Sequence, residues 1–130
     1  MTISRLNPDE LARPRGFSHA VAGTGTMVFL AGQTALDSSG RVVGGDIVAQ
    51  FDQALSNLLT ALASAGGSPD QLASLTVYVT DMSLYQEHSA GVGEVWRRRV
   101  GRSYPAMAAV EVSRLWDVAA LVELQGVALV

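Results

Sequence analysis

A chain of 130 residues, 48% of them hydrophobic, holds enough material for one domain spanning 1–130 with a sizeable core, and too little for a second. Twelve acidic against nine basic residues leave a net charge of -3, which argues against a surface built to neutralise phosphates and so against a nucleic-acid partner. All the basic residues are Arg and Cys is absent, which excludes a side-chain Schiff base, a thiol nucleophile, a thiolate metal site and any disulfide.

From Met1 to Arg15, Pro8, Pro14 and scattered charges suit a short first strand and an irregular connection. No apolar signal-peptide core occurs there, and no run in the chain approaches the roughly 18 apolar residues of a membrane span, so a cytoplasmic protein without a membrane partner is expected. Phe17 to Ala22 and Met27 to Ala31 read as strands, and the glycines of Gly23-Thr24-Gly25-Thr26 can take the positive φ of a hairpin loop between them. Asp37 to Gly40 and then Gly44-Gly45 supply turn chemistry.

Ile47, Phe51, Leu55, Leu58 and Leu62 then recur at helical spacing, widened by Val48 and Leu59, and predict a helix from Ile47 to about Ala65. Asp46 is its expected N-cap, and Gly66-Gly67 ends it. Ser68 to Gln71 has capping-box spacing with Pro69 at the first helical position, which predicts a single turn. Leu75 to Thr80 alternates as a half-buried strand.

Ser83 and Gln86 repeat the capping-box spacing and open a second helix through Leu84, His88, Val92, Val95 and Trp96, weakened by Gly91 and Gly93 at about 1 kcal/mol each relative to Ala. Arg97-Arg98-Arg99 places cations at its negative pole, a reading preferred to a phosphate contact. Pro105 cannot donate to a ladder and marks the entry to a strand from Ala106 through Val112. Leu115-Trp116-Asp117 makes a short connection. The apolar stretch from Ala119 to Val130 has the β-branched content of a strand, although its length leaves a helix open.

The order predicts an α+β layer, a mixed β-sheet with two helices on one face. On the last strand Ala120, Val122, Leu124 and Val130 alternate with Leu121, Val127 and Leu129, so both faces are apolar and the helices can bury only one. Self-association is the simplest cover for the other.

The run Tyr104-Pro105-Ala106, then Val110-Glu111-Val112 and Leu115, resembles the signature strand of the RidA/YjgF family, the reactive-intermediate deaminases formerly called L-PSP endoribonucleases. Gly16 to Val21, Val28 to Gln33, Asp46, Ala49-Gln50, Asn57-Leu58, Ala65-Gly66, Thr76 to Asp81 and Val122-Glu123 extend the likeness from about Gly16 to Ala128. The resemblance implies a chorismate-mutase-like fold, a homotrimer with sheets facing inward, and inter-subunit clefts that take a small-molecule ligand, with no cofactor and no metal. In the deaminating members the clefts hydrolyse imine or enamine intermediates. The family's late Glu positions or activates water, and its Arg clamps the substrate carboxylate.

Carried over by position, the catalytic acid is Glu123, and the binding residues are Phe17, His19, Ala31, Gly32, Met107 and Ala109. Met107 stands where the clamp Arg is expected, and a thioether offers no donor to a carboxylate. Phe17 lacks the usual Tyr hydroxyl, Ala31 the usual Ser hydroxyl, and Ala109 stands where Cys is common. The inferred cleft is therefore more apolar, suited to a ligand without the usual carboxylate or to binding without catalysis.

The same residues have plainer readings. Glu123 is either a water-positioning carboxylate or a structural acid paired with an Arg. His19 either exchanges protons near neutral pH or is an exposed strand residue, and His88 reads as structural. The two His residues have no metal-site spacing, and no Gly-x-Gly-x-x-Gly, P-loop or Gly-x-Ser-x-Gly motif occurs. Tyr104 and Trp116 read as cleft-mouth or packing aromatics, and Arg102 and Arg114 are the candidates to replace the clamp from elsewhere.

Overall fold

A computed structural model describes residues 3–130. The chain runs β1 (Ile3–Leu6), β2 (Ala20–Gly23), β3 (Met27–Gln33), α1 (Ile47–Ser64), a 3-10 turn (Pro69–Gln71), β4 (Leu72–Val79), α2 (Met82–Glu87), α3 (Ser89–Arg99), β5 (Ala106–Glu111) and β6 (Val122–Leu129). The main sheet has strand order β3-β6-β4-β5, antiparallel except for the parallel β4–β5 pair, and β1 and β2 form a separate antiparallel ribbon. This is the mixed α+β layer that the pattern predicts.

The helical stripe of α1 seals the sheet. Asp46 caps it by accepting the Ala49 N–H at 2.9 Å, and Gly66 takes a φ of +80° just past its end. Ile47, Phe51, Leu55, Leu58 and Leu62 are buried on α1. Phe51, Leu55, Leu58 and Leu62 pack with Leu72, Leu75, Val77 and Val79 of β4, Val122, Leu124 and Ala128 of β6, and Val92, Val95 and Trp96 of α3. Gly91 lets α3 approach α1 closely, since a Cβ there would stand 2.9 Å from a methyl of Val48. The helix-weakening glycine thus has a packing reason.

The other face of the sheet is open in the single chain. Met27 and Phe29 of β3 are 57% and 75% exposed, and Val110 of β5 is 40% exposed. Tyr78 and Gln125 join across it by a 3.2 Å hydrogen bond.

Several expectations need correction. The strands around Gly23–Thr26 do not form a hairpin: β2 pairs with β1 and β3 pairs with β6, so this turn carries the chain from the ribbon to the main sheet. The preceding strand begins at Ala20 rather than Phe17, because Phe17–His19 runs beside β5, joined to it by a bridge from Ser18 to Ala106. The second helix is two helices. Asp81, not Ser83, caps α2 by accepting the Leu84 N–H, and the path breaks at His88, whose Nδ1 lies 3.0 Å from the Leu84 carbonyl oxygen. That contact gives His88 the structural part expected of it.

Candidate functional site

The β3–β6 edge of the sheet seats Glu123. Its Cα partner is Tyr78, which puts the acid on the open face, among residues that no helix covers. A register irregularity between Leu30 and Gln33 lifts Ala31 and Gly32 out of the regular ladder beside it. The Glu123 carboxylate occupies the space a side chain at position 32 would need: a Cβ on Gly32 would lie 2.9 Å from Glu123 Cδ and closer still to Oε2. The acid is half-buried. Among the described residues it forms no ion pair, so the Arg-paired structural reading of Glu123 gains no support.

Met107 and Ala109 lie on β5, the opposite edge of the sheet, paired with Leu75 and Val77. That pairing turns them toward the helical layer, the face away from Glu123. Adjacent strands are about 4.8 Å apart, so β5 and β6 are separated by roughly 10 Å in addition to the change of face. Phe17 and His19 flank β5, fixed by Ser18, which donates its N–H to the Pro105 carbonyl oxygen at 2.9 Å and its hydroxyl to that of Tyr104 at 2.7 Å. The two rings meet edge to face at 5.1 Å, and His19 Nε2 sits 2.7 Å from the Ala12 carbonyl oxygen. That oxygen can only accept, so this contact places a proton on Nε2 and ties the ring to the loop. The predicted residues thus fall into two groups: Ala31, Gly32 and Glu123 on one edge, Phe17, His19, Met107 and Ala109 on the other. A single chain does not bring the groups together.

Beside Met107 is a cavity of about 300 Å³. Phe51, Tyr85, Trp96 and Tyr104 form aromatic walls with Met107, and Arg15 and Arg97 are its charged members. Trp96 and Tyr104 stack with centroids 6.1 Å apart and planes at 14°. Burial pushes the Tyr85 hydroxyl up to about 12, so it remains a neutral donor. The Trp96 indole N–H is buried without an acceptor among the described residues. Tyr104 therefore belongs to the cavity, whereas Trp116 does not and stands 91% exposed. Neither clamp substitute reaches it: Arg114 donates to the carbonyl oxygens of Leu115 and Trp116, and Arg102 is absent from the lining. Sequence reasoning missed Arg15, Tyr85, Trp96 and Arg97 as lining residues. The one available signal was Gly93, four residues before Arg97, where a Cβ would meet the Arg97 guanidinium at 3.3 Å.

The arginine run divides accordingly. Arg98 and Arg99 pair with Asp52 of α1, and Arg97 turns back over Gly93. Burial raises the Asp52 carboxyl, but its hydrogen bonds and charge contacts with Arg99 and Arg98 outweigh that and hold it below its usual 3.8. A depressed carboxyl contributes stability above its unfolded pKa, and that contribution fades as pH falls through the lower folded value. Both partners are partly solvated, so the effect is below about 1 kcal/mol. Urea-unfolding midpoints of wild type and Asp52→Asn should therefore differ slightly at neutral pH and converge below pH 3.8.

Among the described residues no group of three or more His, Cys, Asp or Glu side chains could hold a metal, and no helix is long and apolar enough to cross a membrane.

The family described as endoribonuclease L-PSP matches residues 8–130. A RutC family protein of Pyrococcus horikoshii is 40% identical over 114 residues, 86% of this chain and 85% of that protein. The mouse protein named 2-iminobutanoate/2-iminopropanoate deaminase is 35% identical over 89 residues, 68% of this chain and 63% of its own. Among solved structures, the Rid-family protein YyfB from Yersinia pestis superposes with a TM-score of 0.88 at 31% identity, covering 100% of both chains.

Proposed function

The chain belongs to the endoribonuclease L-PSP family, also called RidA/YjgF, and from that premise we propose that it hydrolyses the C=N or enamine bond of a small reactive metabolite. The observation that carries this reading is the Glu123 carboxylate, unpaired among the described residues and seated against Gly32 on the open sheet face. The substrate reacts as the nitrogen-protonated imine, which an enamine reaches by taking a proton on carbon, and Glu123 accepts a proton from water as the water oxygen bonds to the imine carbon. Glu123 then returns that proton to the carbinolamine nitrogen, and as the C–N bond breaks the hydroxyl gives its own proton back to Glu123, leaving a carbonyl product and ammonia. No cofactor is needed for that balance.

The two residue groups meet when the β5 edge of one copy faces the β3–β6 edge of another. The exposed Met27, Phe29 and Val110 supply apolar area for such an association, and a homotrimer with sheets inward satisfies both requirements. Hydrolysis of 2-imino acids is the activity in the mouse relative's name. Met107 separates this chain from that chemistry, because no donor stands where a carboxylate beside the C=N bond would be clamped. The substrate accordingly lacks that carboxylate. RNA cleavage fits poorly with a net charge of -3.

A coupled assay, in which an amino-acid oxidase generates 2-iminopropanoate and keto-acid release is timed, tests the reading. Wild type should add nothing to the spontaneous rate. Met107→Arg should gain about ten- to a hundredfold, the worth of a charge-assisted bidentate contact. An active wild type would overturn the substrate assignment.

Met107 also favours a second reading, a non-catalytic trimer that binds a metabolite or another protein. On that reading Glu123→Gln alters binding only. On the first it removes turnover of imines that lack a carboxylate beside the C=N bond.

A further inference from the structure

The cavity beside Met107 has two arginines, Arg15 and Arg97, and no acidic residue in its lining. In a chain with net charge -3 that is a local reversal of sign. The neighbouring arginines show that it is selective: Arg98 and Arg99 are committed to Asp52, while Arg97 is held over Gly93. Arg15 reaches the same cavity from the loop that precedes the Ser18–Ala106 bridge. Among the described residues neither Arg15 nor Arg97 has an ion-pair partner. Aromatic side chains, Val92 and Met107 supply its apolar lining, with Ser89 beside them. Its volume of about 300 Å³ equals that of roughly ten water molecules at their ~30 Å³ share of the liquid, more than a two- or three-carbon acid fills.

We propose that this cavity takes a ligand with an apolar, planar body and a carboxylate set away from its reactive end, the carboxylate lying on Arg15 and Arg97 while Met107 packs against the body. The inference rests on the reading that the β5 edge forms one wall of the reaction cleft, and it specifies the substrate class. Replacing the usual clamp with Met107 moves anion recognition outward and converts the inner position to an apolar contact. An aryl or branched-chain body gains burial against Trp96 and Tyr104, and the carboxylate accepts from a guanidinium fork. Two exposed cations hold an anion weakly because water screens them, so selectivity is modest.

The test is binding of 3-phenylpropanoate and of its amide to the full chain, followed by calorimetry and by NMR chemical-shift mapping. Wild type should prefer the carboxylate about tenfold, and Arg15→Gln and Arg97→Gln should each weaken it about three- to fivefold while leaving the amide unchanged. The double variant should bind both alike. Arg98→Gln, altered on the Asp52 side of α3, should behave as wild type. Equal affinity of wild type for acid and amide would overturn the proposal, as would a loss in Arg98→Gln matching that in Arg97→Gln. The readout does not pass through Glu123. A protein with the expected binding pattern and no turnover of any imine therefore rejects hydrolysis and keeps this inference, while imine turnover indifferent to Arg15 and Arg97 does the reverse.

Discussion

Gly32→Ala should reduce turnover of an accepted imine at least about a hundredfold, comparable to the loss from Glu123→Gln, while the melting temperature changes little. Position 32 is exposed, in an irregular part of β3, so an added methyl disturbs no core residue. It does collide with the Glu123 carboxylate, whose Cδ would lie 2.9 Å from the new carbon. The acid must then swing away from the place where it would meet water. Removing the carboxylate's basicity and displacing the carboxylate disable the same step, so their effects should not add. Gly32→Ala/Glu123→Gln should be no slower than Glu123→Gln alone. Steady-state kinetics on the four proteins, with thermal melts as a fold control, decides the matter. Wild-type turnover in Gly32→Ala would show that hydrolysis does not use the carboxylate in the position seen here.

Much of this architecture was legible because its determinants are local. The α1 stripe, the Asp46 cap and the Ser68–Gln71 capping box depend on residues within a few positions of each other, and all are present. The partner of β2 was not legible. A glycine-containing turn between two strand-like runs suggests a hairpin, but pairing with β1 is settled by contacts across the sequence from Ile3 to Gly23. The break at His88 escaped for a related reason, since helical periodicity continues through it while its ring contacts the Leu84 carbonyl. At the site, Glu123 and Gly32 could each be named from the sequence, but their fit comes from the strand order and from the irregularity in β3. Arg97 looked like one of three dipole-facing cations. Only the position of Asp52 on the neighbouring helix, and the absence of a Cβ at Gly93, separates it from Arg98 and Arg99.

Gln50→Leu should destabilise the protein by about 2–3 kcal/mol even though it keeps the side chain's approximate volume and makes it more apolar. Gln50 is 4% exposed on the face of α1 that seals the sheet, an unusual place for an amide. Its Nε2 donates to the Ala119 carbonyl oxygen at 3.1 Å, and its Oε1 accepts the Leu121 N–H at 2.8 Å. Those contacts grip the chain on either side of buried Ala120, immediately before β6 begins at Val122. Leu would leave both backbone groups without these partners, and a half-buried donor that loses its acceptor costs more than the added apolar contact returns. Urea unfolding should register the loss as a lower midpoint with an unchanged slope. Glu123 lies two residues beyond the Leu121 contact, so the same substitution should also reduce turnover in protein that remains folded. An unfolding free energy within about 0.5 kcal/mol of wild type would mean that the start of β6 is fixed by its ladder with β4 alone, and that α1 contributes burial to this edge but no register.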